Sequence, residues 1–494
     1  MSAPDANQSP DRRLEDCAEL SRKRVRLTTS LERAVALHFG LLVVFSAWAF
    51  GGQIQWARNL IVAWGTIGIL LFIVAVWSRS RRQNVSPFSL TRLLWPLLLY
   101  DGFVALSCIN PSFRQLLRDG EPYWALLTPA IAWLPSSARP ELTLRELWQF
   151  NGLVITAFNL YLVLENRRVL RSLLLVLAGN AVVLAIFGSF QKLTQSKGLW
   201  FGFVESPNDH FFSTFVYHNH WGAFTLLNIA ICLGLLFHSV RRGGHRDVWH
   251  SPVTAGAVAT LFVAASVPLS SSRSSTVLIG LFLVGSLVHF LVRLIRRRRD
   301  LNESPLLPVL GIVLAATLAA GAIFHLGRNV IEKRLRLTTE QIVQIKAQDG
   351  LNSRLMLYRD TWRMAAEKPW FGWGLETYAD VFRIYNSAPT PKHGWRPFYA
   401  EAHSDWLQSL AETGFVGTTL LALLGLLPVL SVPWRRVESV LPRYLMVGCG
   451  LLLCYAWVEF PFANPTVMIL FWGCLYIGIR YALLDVRSAE DPIR

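Results

Sequence analysis

The stretch Glu401-Ala-His403-Ser404-Asp405-Trp-Leu-Gln-Ser-Leu-Ala-Glu412-Thr-Gly414-Phe-Val-Gly417 closes a long polar segment and runs directly into an apolar one, Thr418 to Leu430. A chain that turns from polar to apolar within a few residues is passing from water into lipid, so His403 is expected just above a membrane surface. Ser404 is placed to cap a short helix reaching about Glu412. Gly414 and Gly417 permit a bend and close packing before the lipid-embedded part begins. A histidine in the first turn of a helix feels the positive end of the dipole, which disfavours its protonated form and suits a general base. On position alone, His403 fits equally an interfacial helix in which it caps or is solvated.

The same alternation of polar and apolar segments extends over the whole chain. Of its 494 residues, 53% are hydrophobic and only 16% charged, and the mean hydropathy is +0.37. Apolar runs of about 20 residues recur, each enough to cross a bilayer as a helix. The fold class expected is therefore an all-α polytopic membrane protein. Twelve spans are read at roughly 34–50, 57–77, 93–109, 149–164, 172–191, 216–238, 252–270, 275–293, 305–326, 414–432, 440–460 and 465–484.

Lysine and arginine in the short loops set the orientation. Alternate loops carry Arg79, Arg81 and Arg82, then Arg167, Arg168 and Arg171, then Arg241, Arg242 and Arg246, then Arg296 to Arg299, then Arg435 and Arg436. The intervening short loops carry little beyond Arg58, Lys192, Lys197 and Arg273. Both termini are thus expected in the cytoplasm, and the net charge of +16 is mainly topological, so nucleic acid is no partner. The organisation expected is a cytoplasmic polar tail at 1–33, nine transmembrane helices over 34–326, a large extracytoplasmic loop with short helices at 327–413, three further transmembrane helices over 414–484, and a cytoplasmic tail at 485–494. The first 33 residues are too long and too charged to front a cleaved signal peptide, so the first span should be an uncleaved anchor. Cys17, Cys108, Cys232, Cys449, Cys454 and Cys474 lack metal-site spacing and read as buried small hydrophobes.

Three stretches converge on the outer face in this topology. The loop 327–413 reads as the only non-membrane segment long enough for its own structure. It opens with an amphipathic helix, Ile331 to Lys346, and continues with a second that carries Arg354, Met356, Arg359 and Arg363 before Pro369. Then come the turn Trp370-Phe-Gly372-Trp-Gly374 and an aromatic run through Tyr378, Phe382, Tyr385, Trp395, Phe398 and Tyr399. These rings suit either sugar faces or a belt at the membrane interface. The second stretch is the tight turn Pro268-Leu-Ser-Ser-Ser272-Arg273-Ser-Ser-Thr276, where Arg273 either offers a fork of donors to a phosphate or snorkels to bulk phospholipid. The third, Tyr217-His218-Asn219-His220-Trp-Gly222, suits metal binding, lining of a polar site or a plain interface, and no third metal ligand accompanies it.

Taken together these stretches resemble the O-antigen ligase family, the bacterial envelope glycosyltransferases that include O-antigen ligases and O-antigen and exopolysaccharide polymerases. The resemblance is carried by Phe212-Ser-Thr-Phe-Val-Tyr217-His-Asn219-His220-Trp-Gly-Ala, by Ser270-Ser-Ser-Arg273-Ser, by Ser353-Arg354 and Trp362, and by Lys368-Pro-Trp-Phe-Gly372-Trp-Gly374. The opening stretch adds His403-Ser404, nine residues, then Gly414-Phe-Val-Gly417. It covers the fifth to twelfth spans best.

The resemblance implies transfer of a glycan from a polyprenyl-diphosphate donor to an acceptor hydroxyl on a glycan, lipid or protein, at the outer face of the cytoplasmic membrane, with inversion. No cofactor is implied, and no Asp-x-Asp element for a metal is found, so arginines would neutralise the diphosphate leaving group. Arg273 and Arg354 are assigned to the diphosphate, with Arg359 a further candidate on the same helix face, and His403 is assigned to the acceptor hydroxyl. Asn219, His220, Ser404 and Glu459 are expected to line the site. Of the two acids near or inside spans, Asp101 reads as a structural pair or as protonated, and Glu459 as close enough to the outer face to take part. A transporter or flippase of lipid-linked oligosaccharide is the competing class, but it predicts charges along a central pathway, whereas these basic groups cluster on one side. Ligase and polymerase share the motifs and are not separated by them.

Overall fold

The computed structural model describes residues 30–118, 121–208, 210–241, 251–318, 321, 350–390 and 396–490. The amphipathic helix expected over Ile331 to Lys346, Trp395, and most of the N-terminal tail lie outside them. The described part is a helical bundle. Its first half contains α1 (Ser30–Trp48), α2 (Gln55–Gln83), α3 (Pro87–Cys108), α4 (Pro140–Val163), α5 (Arg167–Leu193), α6 (His218–Arg241) and α7 (Pro252–Ser270). There follow α8 (Arg273–Asp300), α9 (Leu306–Leu318), α10 (Gly350–Glu367), α11 (Tyr378–Tyr385), α12 (Asp405–Leu430), α13 (Leu441–Tyr455) and α14 (Pro465–Glu490).

Among the described residues, nine helices are long and apolar enough to cross a membrane, and α9 and α13 are shorter apolar helices. Each of the twelve stretches read as spans overlaps one of these or α4, and the end of the ninth, at 319–320 and 322–326, lies outside the described residues. The α4 helix starts at Pro140, earlier than the apolar pattern indicated, because Glu141, Arg145 and Glu146 occupy its first turns and mask the helical period. Local chemistry sets several of the other starts. Asn166 caps α5 by accepting from Arg168 N–H, and Ser251 caps α7 by accepting from Val253 N–H with Pro252 in the first helical position.

Two helices form the centre. The apolar stretches of α14 and α6 are 83% and 72% buried, against 22% for α2 and 17% for α8, so the last two form the periphery. In the core, Tyr476 packs edge-on to Phe158 at 5.3 Å between centroids, and Trp221 lies 5.0 Å from Phe212. In a lipid-facing bundle such close packing supplies most of the attraction between helices, because lipid tails are as apolar as the side chains. Cys232, Cys449 and Cys474 are buried as expected, whereas Cys454 is exposed.

One element corrects the all-helical expectation. Phe113–Arg118 (β1) and Glu121–Leu126 (β2) pair as an antiparallel hairpin, with Phe113 opposite Leu126 and Arg118 opposite Glu121. The segment between α3 and α4 therefore carries structure of its own, not foreseen because strands this short leave little alternation to read. It is tied to the segment after α10: Ala138 N–H donates to Trp373 O at 2.7 Å, and the Phe113 and Trp373 rings meet edge-on at 6.2 Å.

Candidate active site

The site begins with a backbone crossing. Within α12, Gly414 has φ 64° and ψ −169°, so the helix breaks there into a short piece from Asp405 and an apolar piece from Phe415, matching the expected end near Glu412. The turn Trp370-Phe-Gly372-Trp-Gly374 lies against this break. Trp373 N–H donates to Ala411 O at 3.0 Å, Gly374 N–H to Glu412 O at 2.8 Å, and Phe415 N–H to Pro369 O at 2.8 Å. A Cβ on Gly372 would stand 2.3 Å from the Glu412 carbonyl carbon, and one on Gly414 would stand 2.4 Å from that of Trp370. Both positions also have positive φ, so glycine is required at each. The two glycine motifs are thus two halves of one joint.

Further bonds lock the joint. The buried Glu412 carboxylate accepts from Glu376 N–H at 3.1 Å and Tyr378 N–H at 3.0 Å. Lys368 Nζ donates to Ser136 Oγ at 2.8 Å and sits 4.0 Å from the centroid of Trp373; burial pushes its pKa down to about 8.

This joint fixes the approach of His403. Ser404 caps α12 by accepting from Leu407 N–H, so His403 stands one residue before the cap and not in the first turn. Its φ is 53°, a left-handed backbone unusual for a residue with a Cβ. Tyr358 donates its OH to His403 O at 3.0 Å and steadies that backbone. Asp405 docks the helix start on the turn between α13 and α14: its N–H donates to Ala456 O at 2.9 Å, and its Oδ2 accepts from Phe462 N–H at 3.0 Å. The Phe460 ring meets the His403 imidazole edge-on at 4.8 Å.

Glu459, on the same turn, is the hub. Its side chain is 3% exposed, whereas that of His403 is 30% exposed and that of Arg354 is 50% exposed. Glu459 Oε1 lies 3.1 Å from Arg354 Nη2, and Oε2 lies 3.8 Å from His403 Nδ1. Burial would raise the Glu459 pKa, but the His403 ring and the Arg354 charge outweigh it and hold the carboxyl below its ordinary value. Burial works against the charge of Arg354, yet Glu459 more than compensates and its pKa is raised. Tyr217, whose OH reaches Glu459 Oε2 at 3.5 Å, is pushed up by burial and then by that carboxylate.

The network continues to α8. Asn219 Nδ2 donates to Tyr217 OH at 2.8 Å, and its Oδ1 accepts from Ser272 Oγ at 2.7 Å. Ser272 immediately precedes Arg273, the exposed first residue of α8. His220 is 2% exposed, with Nε2 3.2 Å from Phe460 O. Four segments distant in sequence therefore supply Asn219, His220, Arg354, His403, Ser404 and Glu459 to one cluster, with Arg273 of a fifth, α8, at its edge.

Other candidates fall elsewhere. Arg359 donates to Ser387 Oγ at 3.0 Å and lies 3.6 Å from the buried Asp360, away from Glu459. Five residues of helix turn it about 140° from Arg354, so the two do not share a face. Asp101 accepts from Asn151 Nδ2 at 2.8 Å between α3 and α4, a structural pair. Tyr378 and Phe382 stack at 5.0 Å and are buried with Trp373, so these rings are core, while Trp370 and Phe398 are exposed. Tyr358 was missed by sequence reading, although its spacing of four residues from Arg354 puts both on one helix face.

The family model for O-antigen ligase matches residues 258–422, a segment that holds Ser272, Arg273, Arg354, His403 and both halves of the glycine joint. Over those residues the chain is similar to the O-antigen ligase family. No curated protein matches it. With the apolar helices, this similarity supports a multi-pass bacterial inner-membrane protein of surface polysaccharide biosynthesis. Asn219, on α6, and Glu459, after α13, lie outside the matched segment of the ligase family but bond to residues inside it.

Proposed function

We propose that this protein is a glycosyltransferase that moves a glycan from a polyprenyl-diphosphate donor to an acceptor hydroxyl at the outer face of the membrane, without a metal ion. One observation carries the reading: the buried Glu459 carboxylate faces both the half-exposed Arg354 and the accessible His403. In this mechanism Glu459 orients the imidazole through Nδ1 and leaves Nε2 for the acceptor. His403 Nε2 takes the hydroxyl proton as the acceptor oxygen bonds to the anomeric carbon. The bond from that carbon to the phosphate oxygen breaks with inversion, and the polyprenyl diphosphate leaves with its electron pair. Arg273 and the free N–H groups of Arg354 hold its developing charge. Asn219 and Tyr217 keep the Glu459 face in register with α8.

In the same reading all twelve apolar helices cross the membrane, both termini are cytoplasmic, and the segment 327–413 is the large outer loop. Arg81 and Arg82 at the end of α2, Arg167 at the start of α5, and Arg297 to Arg299 at the end of α8 support it, because they gather at the end of the bundle opposite His403. The test is reconstitution of the purified chain with a lipid-linked oligosaccharide and candidate acceptors, with and without EDTA. Transfer that survives EDTA is expected, and product length separates a single ligation from polymerisation. Movement of the intact lipid-linked donor across the bilayer with no glycan transfer would favour the flippase reading.

A further inference from the structure

The α8 helix begins at Arg273 beside the site. Arg293 lies twenty residues further along, about 30 Å at 1.5 Å per residue, which is the thickness of the hydrocarbon core. The α13 helix runs the other way: Arg443 stands at its start, and Glu459 follows its end. The two arginines therefore meet at the end of the bundle remote from His403. There they close one end of a cavity of about 450 Å³ between α8 and α13.

The cavity has two chemically different halves. Its long wall is apolar, with Leu281 and Val447 exposed to the surroundings of the bundle and Phe282 buried as the floor. Its basic end holds Arg293 and Arg443 together with His289, whose Nδ1 is 2.9 Å from Tyr444 OH. Arg443 Nη2 is held by the carbonyls of Trp434 and Val437, at 3.3 and 2.7 Å, and among the described residues it pairs with no carboxylate. No Asp or Glu lines the cavity among the described residues. Gly285, halfway along the wall, has nothing within 4 Å of where a Cβ would be, so the wall is open there.

We propose that this groove is a binding site for an anionic phospholipid of the leaflet opposite the active site, its phosphate on Arg293 and Arg443 and an acyl chain along the α8–α13 wall. An apolar trough at bilayer depth, ended at head-group level by two guanidiniums and lined by no acid among the described residues, complements a lipid and not a free anion. The α13 helix joins this groove to the turn that carries Glu459, so an occupant bears on the packing of the helix behind the site. The inference is independent of the reaction proposed above.

Native mass spectrometry of the full detergent-purified chain, titrated with phosphatidylglycerol and, for comparison, phosphatidylcholine, tests it. The unaltered chain should retain phosphatidylglycerol in preference, and the double variant Arg293→Gln/Arg443→Gln should weaken that retention about tenfold. The double variant Arg296→Gln/Arg297→Gln removes two exposed arginines of the same helix end outside the cavity and should leave it unchanged. Gly285→Leu, which places a side chain in the open trough, should lower retention of phosphatidylglycerol with all arginines intact. Equal losses in the two double variants would reduce the effect to general surface charge and overturn the proposal. Undiminished retention in Gly285→Leu, or equally tight binding of water-soluble glycerophosphoglycerol, would overturn it too. Should Gly285→Leu fail to fold, the paired double variants and the soluble head-group still decide.

Discussion

His403 Nδ1 lies 3.8 Å from Glu459 Oε2, a partially exposed imidazole backed by a buried carboxylate, and Nδ1 has no hydrogen-bond partner among the described residues. A general base oriented by an acid needs a carboxylate behind the ring in this way. It also makes His403 more than a cap, since Ser404 does the capping.

His403→Ala should therefore lower transfer by about 10²–10⁴-fold, the usual contribution of a general base. Insertion in the membrane and retention of the lipid-linked donor should persist. His403→Gln, which keeps an acceptor but takes no proton, should recover little. Turnover measured per folded, donor-binding molecule checks this, and an active alanine variant would end the catalytic assignment.

Arg273→Lys and Arg354→Lys should each reduce transfer about 10–100-fold, equivalent to about 1.4–2.7 kcal/mol of transition-state stabilisation, because an ammonium lacks the planar fork that matches phosphate oxygens. Arg359→Lys should leave the rate near that of the parent, since Arg359 is engaged with Ser387 and Asp360. Steady-state transfer assays on the three variants distinguish a diphosphate clamp from arginines that only anchor the protein at the interface.

Glu459 supplies a pH signature in stability. Its carboxyl is held below the ordinary 4.5 in the folded chain, so there the folded state binds fewer protons than the unfolded one. Its contribution is full above pH 4.5 and is lost as pH falls through the folded value. The midpoint of thermal unfolding of the parent should accordingly drop on acidification below about pH 4.5, while Glu459→Gln should show a shallower drop. Parallel curves for the two proteins would mean that Glu459 is not linked to folding.

Gly414→Ala should destabilise the chain by about 1–3 kcal/mol, the range for a side chain forced into a disallowed backbone region. The added Cβ would meet the Trp370 carbonyl at the joint. Because that joint sets the direction of His403, activity should fall further than the folded fraction does. Gly425→Ala, in open space on the same helix, is the control and should be close to neutral.

Thr390→Cys, in the segment after α11, should react with an impermeant thiol reagent in intact cells, and Arg297→Cys, at the far end of α8, should react only after permeabilisation. A cysteine-free background is needed, because Cys454 is exposed. The reverse pattern would invert the topology and put the site in the cytoplasm.

The sequence by itself determined the class of protein, the approximate positions of the helices and the residues worth testing. Apolar run length and the clumping of arginine depend only on the chain and on the bilayer as solvent, so they can be read without contacts. The break at Gly414 and the Ser404 cap were legible for the same reason: each is set by backbone chemistry within a few residues. What only tertiary structure decided are the relations between segments. That Glu459 joins Arg354 to His403, that Asn219 reaches Ser272, and that Gly372 and Gly414 require each other depends on elements tens to hundreds of residues apart. The hairpin at Phe113–Leu126 likewise became visible only against Trp373, whereas the separation of Arg354 from Arg359 follows from helical phase over five residues. A sequence states which groups exist and where the solvent changes; the distance between two charges is fixed only when helices pack, and that distance is what makes a carboxylate, an imidazole and a guanidinium act as one site.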